Sequence, residues 1–298
     1  MTKKLTKVYG SIPAMVTPFD EKGAIDVVAL KKLIKFLVSG GIDAIVPCGS
    51  TGEAATMSLE EYELVVKTTV EVVGGKIPVI AGAGSNDTQK AILFSQIAKA
   101  AGADGLLHVT PYYNKPTVDG LVAHYKAIAK AVDLPIVVYN VPGRTGLNLT
   151  ADACIRIAKE VPKVIAVKEA SGNISQMMDI IAAAPKGFSV LSGDDALTLP
   201  LIAAGGVGII SVVANEVPSE FSKMVHFALA GNFKKARELH YRLLPLMNGN
   251  FIETNPIPVK TALFMMGKIK ESFRLPLVPM SAKNKEALKL ILKDLRLI

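Results

Sequence analysis

Val164-Ile165-Ala166-Val167-Lys168-Glu169-Ala170-Ser171-Gly172-Asn173 begins as a continuous apolar run and ends in a small polar loop. A run without polar alternation reads as a strand covered on both faces, the situation of parallel strands flanked by helices. Lys168 closes the run, so its amine lies where an apolar interior meets a loop. Burial disfavours the ammonium form and lowers the amine below its usual ~10.4, freeing a nucleophile for imine formation with a ketone. The ordinary alternative is a lysine that snorkels from a strand end or pairs with Glu169. The surroundings of the other strands decide between the two.

Moving outward, strand-like runs alternate with helical patterns eight times: Ser11-Thr17, Ile42-Pro47, Ile77-Ala81, Gly105-Val109, Ile136-Tyr139, Val164-Val167, Ser189-Leu191 and Val207-Val213. Between them, apolar residues recur at helical spacing, as in Val27, Leu30, Ile34 and Leu37, or Ile92, Ile97 and Ala101. Glycines expected just past a helix follow at Gly40-Gly41, Gly74-Gly75 and Gly102. Eight such units predict an α/β fold, a closed (β/α)8 TIM barrel, with a doubly wound open sheet as the competitor. Three further helical stretches, about Asn232-Met247, Pro258-Gly267 and Lys283-Leu295, exceed a minimal barrel and predict a C-terminal three-helix appendage. The expected division is a barrel over 1–230 carrying the active site and a helical appendage over 231–298 packed on it.

Composition excludes several classes. The net charge is +8, yet pairs such as Lys31-Lys32 and Lys234-Lys235 stand among acidic residues and form no long tract, so no nucleic-acid partner is expected. Cys48 and Cys154 are the only cysteines, too few for a disulfide scaffold and outside metal-ligand spacing, and are expected as small buried residues. Met1 to Lys7 is basic but precedes no apolar segment with a cleavage site, which predicts a cytoplasmic protein in which the sequons at Asn86, Asn148 and Asn173 carry no meaning. Ala196 to Asn215 is uncharged and as long as a membrane span, but Pro200, Gly205, Gly206 and Gly208 break it into a short helix, a turn and a strand. No membrane partner is expected.

In barrel enzymes the chemistry sits at the C-terminal ends of the strands. Here those ends carry Gly49-Ser50-Thr51-Gly52-Glu53, Thr110-Pro111-Tyr112-Tyr113-Asn114, Tyr139-Asn140-Val141-Pro142 with Arg144, Lys168, and Gly193-Asp194-Asp195. Each has an ordinary explanation in turns, packing or solvation; one barrel mouth would gather them. A lysine attacking a 2-oxo acid needs a proton shuttle to expel water and then to deprotonate the methyl carbon, which the hydroxyls of Thr51, Tyr113 and Tyr139 can supply. The substrate carboxylate needs donors without bulk, available from Ser50, Thr51 and the N–H groups of the Gly49-Gly52 loop ahead of a helix. Arg144 suits a second carboxylate through its bidentate fork.

With these motifs the chain resembles the pyruvate-dependent class I aldolases of the dihydrodipicolinate synthase and N-acetylneuraminate lyase family. The resemblance runs from Gly10-Ser11-Ile12 to Asn255-Pro256-Ile257-Pro258-Val259-Lys260, with Gly49–Glu53, Thr110–Pro116, Tyr139–Gly146 and Leu191–Asp195 as its specific segments. It implies that Lys168 forms the Schiff base, that Tyr139 donates and accepts protons, and that Thr51 relays them. It further implies that Tyr113 enters the site of a neighbouring subunit, making the protein a homo-oligomer, a dimer or a dimer of dimers (a homotetramer). Arg144 would bind the carboxylate of L-aspartate 4-semialdehyde, and Gly193 and Ile210 would line the pyruvate pocket. The implied reaction condenses that semialdehyde with pyruvate, the first committed step toward diaminopimelate and lysine, with no metal and no organic cofactor.

Ser50 departs from the synthase pattern, which has threonine there, and agrees with the lyases. Arg144 in Pro-Gly-Arg-Thr-Gly and the Tyr-Tyr-Asn-Lys-Pro segment are of synthase type. Another 2-oxo acid aldolase, such as N-acetylneuraminate lyase or 2-keto-3-deoxygluconate aldolase, is the alternative. Lysine-inhibited synthases resemble the chain at Asn86 and Tyr112 but carry an acidic residue in place of Lys90 and often histidines in place of Leu59 and Tyr62, so weak or absent feedback inhibition is expected. Other classes fit worse. Gly82-Ala83-Gly84-Ser85-Asn86-Asp87 is an incomplete dinucleotide fingerprint, because Asp87 takes the third small-residue position. His108, His124, His226 and His240 lie in no ligand spacing for a metal-dependent aldolase. A non-catalytic pyruvate sensor on the same scaffold is disfavoured by the complete relay.

Overall fold

The computed structural model describes residues 5–298; Met1–Lys4, the first part of the basic start, lie outside the described residues. Strands β1 (Gly10–Pro13), β2 (Ile80–Gly82), β3 (Gly105–Val109), β4 (Ile136–Asn140), β5 (Val164–Glu169), β6 (Ser189–Ser192) and β7 (Gly208–Ser211) form one parallel sheet in the order β1-β7-β6-β5-β4-β3-β2. The first and last strands in sequence are therefore neighbours, with Ser11 opposite Ile209 and Ile12 opposite Ile210.

The eighth strand expected at Ile42-Pro47 is present as a seam instead of a full ladder. It touches its neighbours through the bridges Ala14 to Val46 and Ile45 to Val79. The Val46 N–H donates to the Pro13 carbonyl, and the Ile80 and Gly82 N–H groups donate to the carbonyls of Ile45 and Pro47, each at 2.9 Å. The segment thus sits between β1 and β2 and closes the (β/α)8 ring. Pro13, Pro47 and Pro78 each lack an N–H, which is why pairing here thins to bridges. The strand expected over Val207-Val213 also ends early, at Ser211, because the Asp195 carboxylate takes the N–H groups of Val212 and Val213.

Helices Val27–Ser39, Leu59–Val73, Thr88–Ala100, Val118–Ala131, Ala151–Glu160, Ile174–Ala183, Thr198–Ala203 and Pro218–Leu229 follow the eight strand segments in turn. The Ser58 and Glu61 capping box starts the second of them, and Gly74 ends it in a left-handed conformation at φ 58°. The interior of the ring is filled by Ile12, Val46, Ile80, Leu107, Val137, Ala166, Leu191 and Ile210, while the layer between strands and helices forms a larger apolar cluster. The tail forms Phe233–Gly249, Ile257–Met265 and Ala282–Asp294, close to the three expected helices. Leu243, Leu246, Leu288 and Leu292 share one apolar cluster with Phe221 and Met224 of the last barrel helix. None of the helices among the described residues is long and apolar enough to cross a membrane.

Two histidines lie in the helix layer. The His108 ring, on β3, has Nε2 3.1 Å from Ser95 Oγ, and His124 Nδ1 lies 2.9 Å from Thr88 Oγ1. Burial pulls His108 down to about 3 and His124 down to about 4. Among the described residues no group of three or more His, Cys, Asp or Glu could hold a metal ion. A lowered folded pKa means that the unfolded chain binds these protons first, so the stabilisation is complete above the unfolded value of ~6.5 and is lost as pH falls toward the folded values. Urea titrations between about pH 7.5 and about pH 5 will show falling stability, with each group contributing at most about 1.4 kcal/mol per pH unit. His124→Gln will flatten that slope; an unchanged slope would assign the loss to other groups.

Candidate active site

Lys168 occupies the penultimate position of β5, two residues after Ala166 and hence on the same inward face. Its strand neighbours are Tyr139 on β4 and Leu191 on β6. The residue is 5% exposed, and Nζ lies 4.1 Å from the centroid of the Tyr139 ring. Burial lowers the amine to about 7; Asp195 opposes that shift and the Arg144 guanidinium adds to it. Near neutrality a large fraction is therefore the free, nucleophilic amine. Burial pushes the Tyr139 phenol the other way, up to about 12, so it remains a proton donor.

Gly193 shapes the floor beneath the lysine. A β-carbon there would lie 3.0 Å from Lys168 Cε, 3.2 Å from Cγ and 2.6 Å from the Ala170 methyl. The glycine is thus required by close approach, with its φ in the ordinary range. Asp195, two residues further on and 1% exposed, is the buried counter-charge. Its Oδ1 accepts the Ser211 hydroxyl at 2.5 Å, and Oδ2 accepts the Val212 and Val213 N–H groups at 3.2 and 2.9 Å.

Thr51 is buried in the loop after the seam, where Cys48 and Glu53 both take φ 56°. Its Oγ1 accepts Asn255 Nδ2 at 2.9 Å, which leaves its own hydrogen free to be relayed. Asn255 also accepts Arg144 Nη2 on its backbone carbonyl, at 3.0 Å. One residue of the tail therefore ties together two residues expected in the mouth. Glu53 is fixed from the same direction: its buried carboxylate meets Lys260 Nζ at 2.5 Å and accepts the Arg274 N–H at 3.2 Å. Arg274 further bonds Glu61, donates to the carbonyls of Gly23 and Thr56, and stacks over Phe19.

Among the other expected residues, Ile210 is fully buried on β7 in the apolar cluster that also holds Tyr139 and Leu191. Arg144 stands on the short helix Pro142–Thr145 and is exposed. Ser50 is exposed, next to the buried Thr51. Tyr113 is 89% exposed at φ 70°, its N–H 3.3 Å from the Thr145 carbonyl. A single chain thus gathers Lys168, Tyr139 and Thr51 into its interior and holds Tyr113 outward. The sequence reading missed roles for Asn255, Asp195 and Lys260; the Asn255–Lys260 segment stood out as a motif, with nothing local to say what it touches.

The arrangement pairs an unprotonated amine with a phenol donor, a hydroxyl relay and an exposed guanidinium at the rim, a set suited to imine chemistry on an anionic carbonyl compound. The model of the Dihydrodipicolinate synthetase family matches residues 7–295. The 4-hydroxy-tetrahydrodipicolinate synthase of Maridesulfovibrio salexigens is 53% identical over 289 residues, covering 97% of this chain and 99% of that protein. Its namesake from Methanocaldococcus jannaschii is 52% identical over 289 residues with the same coverage. The crystal structure of dihydrodipicolinate synthase from Aquifex aeolicus superposes with a TM-score of 0.95 at 47% identity, covering 97% of this chain and 99% of that one. On sequence, fold and the residues gathered at the mouth of the ring, the chain belongs to the dihydrodipicolinate synthetase family.

Proposed function

We propose that this chain is a 4-hydroxy-tetrahydrodipicolinate synthase, a lyase that condenses pyruvate with L-aspartate 4-semialdehyde through a lysine Schiff base. The observation that carries the reading is the buried Lys168 amine, brought to about 7 and seated 4.1 Å from the Tyr139 ring. Relatives of that name at about half identity over nearly the whole chain support the synthase over a sugar-acid aldolase.

Lys168 Nζ attacks the ketone carbon of pyruvate, and the carbinolamine loses water as Tyr139 and Thr51 deliver the proton. The cationic imine acidifies the methyl group, whose proton passes back to the deprotonated relay of Tyr139 and Thr51 to give the enamine. The enamine carbon attacks the aldehyde of the semialdehyde, which Arg144 holds by its carboxylate. The amino group of the adduct then displaces the lysine amine, closing the ring and freeing Lys168. Pyruvate sits against Gly193 and Ile210, with its carboxylate on the Ser50–Thr51 loop. The imine nitrogen serves as electron sink, so these residues need no added cofactor for the chemistry described.

The exposed, left-handed Tyr113 fits insertion into the mouth of a second subunit, as dimer or dimer of dimers. The step belongs to diaminopimelate and lysine biosynthesis, and we place it in the cytoplasm. Lys90, whose N–H is taken by the Asp87 cap at the start of its helix, sets a cation where lysine-inhibited synthases have an acid. Tyr62, one of the two positions where those synthases often have histidine, is a core residue whose ring centroid lies 4.8 Å from that of Phe94.

Three outcomes test this. Borohydride will reduce a pyruvate adduct onto Lys168 alone, at a rate that climbs as pH rises through about 7; pyruvate-independent inactivation, or an adduct mapped elsewhere, refutes the assignment. Pyruvate consumption will require L-aspartate 4-semialdehyde, with N-acetylneuraminate and 2-keto-3-deoxygluconate left uncleaved. Gly193→Ala will fold but lose about tenfold or more of the trapping rate, since displacing a reacting atom by about an ångström costs on that order. In addition, L-lysine will leave turnover unchanged at sub-millimolar concentration, and strong inhibition there overturns the reading of Lys90.

A further inference from the structure

Successive residues of a strand face opposite ways, so Tyr139 and Lys168 face into the ring while Asn140 and Glu169 face the helix layer. Asn140 and Glu169 are register partners, and both are fully buried. The Glu169 carboxylate accepts Asn140 Nδ2 at 3.2 and 2.9 Å, Gln176 Nε2 at 3.2 Å and the Ser171 N–H at 2.7 Å. All of these donors are neutral. Among the described residues no lysine, arginine or histidine forms an ion pair with it.

The cluster extends into the loop behind Arg144. Asn140 Oδ1 accepts the Leu149 N–H at 2.9 Å, and Asn140 Nδ2 donates to Asn148 Oδ1 at 2.9 Å. Asn148 Nδ2 donates to Gln176 Oε1 at 2.8 Å, and Gln176 Nε2 returns to Asn148 Oδ1 at 3.2 Å. A single polar knot thereby joins the end of β4, the end of β5, the helix Ile174–Ala183 and the loop that follows Arg144. An isolated buried carboxylate is costly and is retained in a fold only where many donors converge on it. Only an acceptor without protons satisfies this position, because an amide would turn an N–H toward other N–H groups.

We propose that Glu169 is a positioning residue for the reaction: its carboxylate fixes the ends of β4 and β5 so that the Lys168 amine meets the carbonyl carbon while the Tyr139 hydroxyl meets the oxygen on it. The inference rests on the lysine Schiff-base reading and adds to it the device that holds the pair in register. A device of this kind alters the geometry of the reacting pair without altering how pyruvate is held, so it acts on kcat.

The test measures turnover and pyruvate-dependent borohydride reduction in the oligomer as it is purified. Glu169→Gln will lower kcat by about 30-fold with KM for pyruvate within about threefold, the scale expected for a misplaced reacting pair. Glu169→Asp keeps an acceptor without protons at the position and will retain several-fold more of kcat than Glu169→Gln. Glu169→Gln within about twofold of the parent, or Glu169→Asp no better than Glu169→Gln, overturns the proposal. Should Glu169→Gln fail to fold, Gln176→Met removes one donor from the helix side alone; it will show a smaller fall in kcat at constant KM, and an unchanged kcat overturns the proposal. If the parent protein itself forms no adduct on Lys168, the Schiff-base reading falls and takes this inference with it; an adduct on the parent with unaffected variants removes only the positioning role.

Discussion

An amine withdrawn from water at the end of β5 is the constraint on which the rest of the mouth depends. Left exposed, Lys168 would be an ammonium ion and chemically idle at neutral pH. Enclosed among apolar strand residues, it loses that preference, and every neighbouring feature serves to keep it enclosed and aimed. Gly193 gives up its side chain so that the methylene stem can lie flat, Tyr139 covers the amine with its ring, and Asp195 is kept as a counter-charge tied to backbone N–H groups. The positive charge of an imine formed there would face that carboxylate across a dry interior, where electrostatic interactions are less screened than in water.

The tail is part of the same construction. Asn255 holds Thr51 and Arg144 at once, while Lys260 and Arg274 hold Glu53 and Glu61 of the loop and helix that follow the seam. The Lys260–Glu53 pair is enclosed on both sides, with Phe19 and Phe273 against the ammonium group. Such a pair contributes little net stability, because desolvation offsets attraction, but breaking it strands a buried charge. Its effect is to make the left-handed turn at Glu53, and hence the placement of Thr51, inseparable from the helices that lie over it. The helices beyond Leu229 therefore take part in placing the loops at the mouth of the ring.

The repeat of strand and helix was legible because the ring is buried on both faces and its strands therefore read as apolar runs, each ending where polar residues begin. Lys168, Tyr139 and Thr51 announced themselves as polar residues at those ends. What stayed hidden depends on encounters between distant segments. Lys260 reads in sequence as an ordinary helix lysine, and only Glu53, far upstream, explains its burial. Asn255 stood in the segment Asn255–Lys260 without a role of its own. Glu169 reads as a salt-bridge partner for the adjacent lysine, yet strand alternation sends it to the opposite face. The seam was overread as a full strand because its apolar pattern is strand-like, while its prolines cancel the ladder.

The order of strands in the ring has a further consequence, for the nascent chain. β1 is made first and its partner β7 last, so the ring stays open along the outer edge of β1 through most of synthesis, while the seam and β2 can pair as soon as they emerge. An apolar edge in that condition is a template for pairing with another chain. The Gly10 and Ala14 N–H groups on that edge stay free until they donate to Val207 and Ser211, while Pro13, Pro47 and Pro78 lie at the two joints of the seam, away from it. The unfinished barrel thus keeps one exposed template, the β1 edge, until β7 covers it, and the finished barrel has its thinnest ladder at the seam that leads into the Thr51 loop.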